Sequence, residues 1–340
     1  MHLNRELTCQ LLTFLLSISI DLFIVELIRT NVNSERILYN SKTMKCKICG
    51  RKAVVKLRSY NLSLCEEHYV EFVKRRVEKA IKKFKMFKKD DRVLVAVSGG
   101  KDSIVLWHVL NSLGYNTTGY FLNLGIGDFS EKSQAITEEF AGKFGLQLKI
   151  EYLKDELGVG IPEIAKVSKG KPCSTCGMIK RYMINRAGLS FDVVATGHNL
   201  DDESSVLFGN ILHWQVEYLD RQSPVLPKDR TLARKVKPLI LLTNFEIKFY
   251  ADLLGLPYIG EKCPFSSGAT TFFYKAILDE IEEKMPGAKI RFLLGFFENK
   301  KGFNTPKKEL KPCIKCGYLT TAGVCSFCRL KERISQFILR

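Results

Sequence analysis

Apolar positions in the middle of this chain alternate between two periods. Arg92 to Val97 is mostly apolar and β-branched, and reads as a strand covered on both faces. Ile104 to Leu113 then recurs at helical spacing, opened by Asp102 and Ser103 and ended by Gly114. Further on, Thr117 to Leu122, Leu146 to Tyr152 and Phe191 to Ala195 predict strands. Helices are predicted over Glu131 to Phe144, about Met178 to Ala187, and after Glu203 as far as His213. A loop through Gly158, Gly160 and Pro162 precedes Cys173. Val236 to Leu242 predicts a fifth strand, Asn244 to Leu254 a helix capped by Asn244, and Thr271 to Lys284 another helix. The βαβα order implies an α/β fold, a doubly wound parallel sheet with helices on both faces. Ligands of such a sheet lie at the carboxyl ends of its strands, where Ser98, Asn123 and Thr196 fall.

Outside this core the pattern changes. Glu66 to Lys89 predicts one long helix, with Val70, Val73, Val77, Ala80, Ile81 and Phe84 on one face. Its other side is basic: residues 74–89 carry nine Lys or Arg against one Glu. Residues 1–43 do not match the rest. Leu11 to Ile28 is mostly apolar, but Asp21 and Glu26 interrupt it, and each acid is costly at membrane depth. Met44 stands directly before the first cysteine motif, so translation is expected to begin there, with an amphipathic anchor helix as the alternative. The expected organisation is a leader over 1–43, a zinc module over 44–69, a basic helix over 70–90, a catalytic domain over 91–300 and a second zinc module over 301–340, after a basic linker from Lys300 to Lys311.

Composition narrows the partners. With 340 residues and 46% hydrophobic content, the chain can bury one large core or two modest ones. Its net charge of +17 points to a polyanion, most plausibly nucleic acid. Of eleven cysteines, most fall in C-x-x-C or C-x-x-H units with gaps that suit metal rather than disulfides, which implies a reducing, cytoplasmic setting and no membrane.

Three motifs carry chemistry. Val97-Ser98-Gly99-Gly100-Lys101-Asp102-Ser103 joins a strand to a helix N-terminus through two glycines. Such a turn lets the backbone approach a phosphate, and free N–H groups, the helix dipole and Lys101 favour its charge. No Walker G-x-x-x-x-G-K-[ST] occurs in the chain. Cys46, Cys49, Cys65 and His68 form two ligand pairs fifteen residues apart, and Cys313, Cys316, Cys325 and Cys328 form two pairs eight residues apart. Both quartets suit tetrahedral zinc, and the first excludes two redox pairs because His68 cannot join a disulfide. Apart from Cys9 in the leader, Cys173, Cys176 and Cys263 remain. Their spacing fits a [4Fe–4S] cluster with one open iron, a catalytic disulfide or a third zinc knuckle about equally. Lys180, one helical turn past Cys176, shares its face.

The S-G-G-K-D-S turn resembles the PP-loop of ATP pyrophosphatases. The whole order, C-x-x-C…C-x-x-H, S-G-G-K-D-S, P-C-S-x-C-G-x-x-K-R, T-G-H-N-L-D-D-E, E-x-C-P, C-x-x-C…C-x-x-C, resembles the tRNA 2-thiouridine synthetases of the TtuA type, over about residues 44–330. That resemblance implies a [4Fe–4S] cluster on Cys173, Cys176 and Cys263, and zinc on each outer quartet. It also implies a catalytic lysine at Lys180, a catalytic aspartate at Asp202, and nucleotide-lining positions at Leu122 and Gly197. The implied activity is ATP-dependent 2-thiolation of a tRNA uridine, with Mg²⁺, a ubiquitin-like sulfur carrier ending in a thiocarboxylate, and a homodimer. T-G-H-N-L-D-D-E looks closer to the T-loop-uridine enzymes than to the wobble-uridine ones. Two rivals are a PP-loop amidating ligase, which gives the zinc modules and the charge no role, and a zinc-ribbon RNA-binding protein, which gives S-G-G-K-D-S none.

Overall fold

A computed structural model describes residues 44–168, 171–266, 270–300 and 309–338. The expected leader and most of the basic linker lie outside them. The chain divides into two compact units, Met1–Tyr69 and Val70–Arg340.

In the first unit, β1 (Val55–Leu57) and β2 (Leu62–Leu64) form an antiparallel hairpin. Asn61 takes the left-handed conformation, φ 48°, that lets the short turn close. Val55, Leu64 and Tyr69 are fully buried, a small core for a unit of this size. Helix α1 (Glu66–Lys83) opens here and continues into the second unit. Its apolar face is as expected, with Val73, Val77, Ala80 and Ile81 buried. It ends six residues short of Lys89: Lys85 has φ 49°, and the Met86 N–H turns back to the Ile81 carbonyl.

The second unit is built on a six-stranded sheet of order β5-β4-β3-β6-β8-β7. β3 (Val93–Val97), β4 (Thr117–Asn123), β5 (Gln147–Tyr152), β6 (Val193–Thr196) and β8 (Lys235–Val236) run parallel, while β7 (Val225–Leu226) pairs antiparallel with β8. The central strand is the driest, with Val93, Leu94 and Val95 at zero exposure. Edge strand β5 alternates, and Lys149 pairs with Glu151 along it. The crossovers are α2 (Lys101–Ser112), α3 (Gly127–Lys143) and α6 (Pro172–Gly188), and α7 (Leu200–Leu212) leaves β6.

Several expectations need correction. The fifth strand is two residues long. From Lys237 to Leu242 the chain turns, with the Ile240 N–H bonded to the Lys237 carbonyl and Leu242 to Leu239, so burial rather than sheet pairing explains its apolar residues. Helix α9 (Asn244–Leu253) is capped by Thr243, not Asn244: Thr243 Oγ1 accepts the Glu246 N–H, and Glu246 returns the bond. The supposed loop before Cys173 contains α4 (Leu153–Leu157) and α5 (Ile161–Val167). After α8 (Val216–Arg221), α10 (Thr270–Lys284) and α11 (Ala288–Asn299) pack on α7. No helix among the described residues is long and apolar enough to cross a membrane.

The C-terminal segment adds a small hairpin, β9 (Lys311–Pro312) with β10 (Leu319–Thr320), and then α12 (Ser326–Ile338). Phe327 stacks on Tyr182 of α6 with ring centroids 3.9 Å apart, and Leu330 and Ile334 are buried in the same cluster. Arg186 of α6 and Lys331 of α12 share Glu156 of α4, at 2.7 and 3.0 Å. Phe327→Ala removes a 2% exposed ring from this joint. It is expected to cost about 3–5 kcal/mol, the usual range for a core phenylalanine, read as a lower urea midpoint.

Candidate active site

Where β3 ends, the chain makes the turn that the glycines predict. Gly99 has φ 73°, and a Cβ there would sit 2.7 Å from the Ser133 carbonyl oxygen, so both its conformation and its surroundings require glycine. The Ser98 N–H donates to Ser103 Oγ (3.1 Å), and Ser103 Oγ donates to the Gly100 carbonyl (2.9 Å). Gly100 caps α2 without a side chain, which leaves the first N–H groups of the helix for a ligand. Lys101 Nζ donates to Asp102 (2.8 Å) and to the Asn244 side chain.

A cavity of ≈ 90 Å³ opens beside this turn, lined among others by Val97, Ser98, Leu122, Ser133 and Lys180. Residues from β3, β4, α3 and α6 thus meet at the carboxyl end of the sheet. Gly197 closes the other side. A Cβ on it would stand 3.1 Å from both the Asp102 carbonyl carbon and the Ser103 nitrogen, so this glycine allows β6 and the start of α2 to approach.

Helix α7 opens on the same spot. Asn199 caps it by accepting the Asp202 N–H (3.0 Å), and Asp202 accepts the Asn199 N–H in return (3.1 Å). The Asn199 amide also donates to Asp102 (2.9 Å), which joins the two helix starts directly. Asp202 pairs with Lys275 of α10, each side chain 28% exposed. Buried Asp201 pairs with buried Lys289 of α11 and accepts the Asn244 N–H (2.6 Å). Lys275 and Lys289 were not singled out from the sequence, and Asn199 and Asn244 appear there only inside a motif and as a helix cap. The Asn-x-x-Asp box was legible there, whereas Lys275 and Lys289 lie in helices whose contacts only the fold reveals.

Cys173 and Cys176 occupy the first turn of α6, which begins earlier than expected because Pro172 suits its N-terminal turn. The Cys173 thiol faces the Phe265 carbonyl. Burial pushes the Cys176 thiol up, the Lys180 ammonium pulls it down, and the nearby Cys263 and Cys173 push it up again. The three thiols and Lys180 therefore share one neighbourhood. It differs from the outer cysteine sites. Among the described residues, the sets whose ligand atoms all lie within 4.8 Å of one another are Cys46, Cys49, Cys65, His68 and Cys313, Cys316, Cys325, Cys328. Their spacings, 3.6 Å from Cys46 to His68 and 3.7 Å from Cys49 to Cys65 and from Cys316 to Cys325, match the ~3.8 Å that bonds of ~2.3 Å to one tetrahedral zinc impose. Burial raises the Cys46 and Cys313 thiols, but backbone N–H donors outweigh it and bring both to about 6, whereas burial pushes Cys65, Cys325 and Cys328 up, so each quartet holds thiols driven both ways.

Comparison with known proteins fits this geometry. Residues 45–70 match the family described as 2-thiouridine synthetase TtuA, N-terminal LIM domain, and residues 71–259 match the PP-loop domain. A tRNA-5-methyluridine(54) 2-sulfurtransferase of Thermotoga maritima is 48% identical over 86% of this chain and 98% of its own. The chain belongs to the TtuA family. Another family member of the same name, from Thermus thermophilus, is 47% identical over 86% of this chain and 92% of its own. The solved U34-tRNA thiolase NcsA of Methanococcus maripaludis, with its [4Fe–4S] cluster, superposes with a TM-score of 0.74 at 28% identity, covering 86% of this chain and 97% of that one.

In this TtuA-family protein, Gly197→Ala is expected to push β6 away from the start of α2. Overpacking of this kind costs about 1–3 kcal/mol, and if that cost falls on the phosphate turn, ATP affinity should fall about fivefold to about a hundredfold. Titration calorimetry with ATP checks this, with metal content at the outer quartets unchanged.

Proposed function

We infer that this protein is an ATP-dependent tRNA 2-sulfurtransferase acting on the T-loop uridine at position 54. The observation that carries the reading is the convergence of the PP-loop, Lys180 and the three middle cysteines at one end of one sheet. Relatives named for uridine 54 are 44–48% identical, whereas the U34 thiolase is 28% identical, which favours the T-loop over the wobble position.

The uridine C2 oxygen attacks the α-phosphate of ATP and displaces pyrophosphate. Ser98 to Ser103 would hold that pyrophosphate with Mg²⁺, through the uncapped N–H groups of α2 and Lys101. Val97 and Leu122 would line the nucleoside, with Gly197 against the phosphates. Charge on the phosphates grows as the bond breaks, and Lys180 would neutralise it. Asp202 would bind the metal or orient the nucleophile. Sulfur then displaces AMP from C2.

Cys173, Cys176 and Cys263 would hold a [4Fe–4S] cluster. The donor set is all thiol, and it is not gathered as tightly as the zinc-like quartets; a cubane with one cysteine per iron needs that wider spacing. When bound, the cluster supplies a thiophilic site for the incoming sulfur, which a carrier with a C-terminal thiocarboxylate would deliver. Zinc on the two outer quartets would stabilise modules too small to fold on core burial alone. The basic helix α1 and these modules would grip the tRNA backbone, in a reducing cytoplasm and as a homodimer. The domain limits proposed from the sequence serve this division of labour.

Nucleoside analysis of tRNA from a strain lacking the gene is expected to show loss of the 2-thio group at uridine 54, restored by the intact gene. A missing thiolation at uridine 34 instead would move the target to the wobble position. Lys180→Ala is expected to cut turnover by about a hundredfold or more, the scale of one electrostatic group, with ATP and tRNA affinities far less changed. Loss of tRNA binding with turnover preserved at saturating tRNA would place Lys180 on the RNA surface. Cys263→Ala, purified and reconstituted without oxygen, is expected to lose the brown cluster and keep its zinc, read by metal analysis. A variant that keeps its iron overturns the three-cysteine assignment.

A further inference from the structure

The start of α7 presents two adjacent carboxylates, and each is met by a lysine from the C-terminal helical pair. Their environments differ. Asp201 and Lys289 are 5% and 4% exposed, and Lys289 also meets Asp279. Asp201 has a second fixed donor in the Asn244 N–H, so this pair is closed off. Asp202 and Lys275 are both 28% exposed, so this pair is reached by solvent. Lys275 holds Asp202 Oδ1, and the Asn199 N–H holds Oδ2. A carboxylate with a donor fixed on each oxygen cannot rotate, and it still has lone pairs for a third partner. The Asn199 that holds it also grips Asp102 of the PP-loop, so the orientation of Asp202 is referenced to the phosphate site.

We propose that Lys275 is a positioning residue for Asp202. Its ammonium locks the carboxylate in the orientation set by Asn199, while the neighbouring Lys289–Asp201 pair anchors α11 to α7. This rests on the reading of Asp202 as part of the reaction. The consequence is a division between two lysines of similar contact, one for turnover and one for stability.

The test uses the anaerobically prepared holoenzyme with tRNA, following pyrophosphate release, beside ATP calorimetry and thermal melting. Lys275→Met is expected to lower kcat about tenfold or more, within the coupling range of contacting groups, with the KM and calorimetric affinity for ATP changed less than about threefold. Lys275→Arg, which keeps the charge, is expected to recover most of the rate. The double variant Lys275→Met with Asp202→Asn is expected to be no slower than Asp202→Asn alone. Lys289→Met is expected to lower the melting temperature more than Lys275→Met does. If Lys275→Met turns over as the parent, if its loss multiplies with that of Asp202→Asn, or if Lys275→Arg is as slow as Lys275→Met, the positioning role is wrong. Should Lys275→Met fail to fold, Lys275→Gln is measured in its place against the same outcomes. An Asp202→Asn variant with full turnover instead overturns the reading of Asp202, which separates that failure from this one.

Discussion

One hydrogen bond holds the site together. Asn199 donates its side-chain amide to Asp102, and so joins the first turns of α2 and α7. A helix start is normally finished by a side chain of its own. Here α2 has no such cap, and the Asn199–Asp202 box serves α7 while its spare amide reaches across. Two helix starts are thereby tied together, with Asp102 in the first turn of one and Asp201, Asp202 and Glu203 in the first turn of the other, where carboxylates suit the positive end of a helix. Gly197 permits that approach, and Lys101, tied to both Asp102 and Asn244, brings α9 to the same point.

Helix α6 carries two thiols and a cation in sequence. Its first turn holds Cys173 and Cys176, and Lys180 one turn later reaches the cavity beside the PP-loop. The helix is fixed from behind by the Tyr182–Phe327 stack and by the shared Glu156. The C-terminal cysteine module therefore has a mechanical role: it braces the helix that carries Cys173, Cys176 and Lys180.

Much of this was legible in the sequence. Period-two and period-3.6 runs placed β3, β4, β5 and β6 and the helices between them, because a parallel sheet buries its strands and leaves unbroken apolar signals. The S-G-G-K-D-S turn and both cysteine quartets were legible because their chemistry depends on local spacing. What failed depended on distant partners. Lys237 to Leu242 is as apolar as a strand, but burial alone does not supply a neighbour to pair with. Helix α1 keeps its helical pattern to Phe84, yet the chain turns at Lys85, where a left-handed residue breaks the ladder. Lys275 and Lys289 look like ordinary helix cations, since their partners Asp202 and Asp201 lie more than seventy residues away.

The two edges of the sheet carry a last consequence. An open strand edge invites another chain to pair with it. At one edge β7 offers two residues, turned antiparallel to its neighbour. At the other, the longer β5 places Lys149 and Glu151 along its length. A short strand and a charged one are both poor templates for intermolecular pairing. Among the described residues, the catalytic sheet is thus protected against aggregation at the margins farthest from its chemistry.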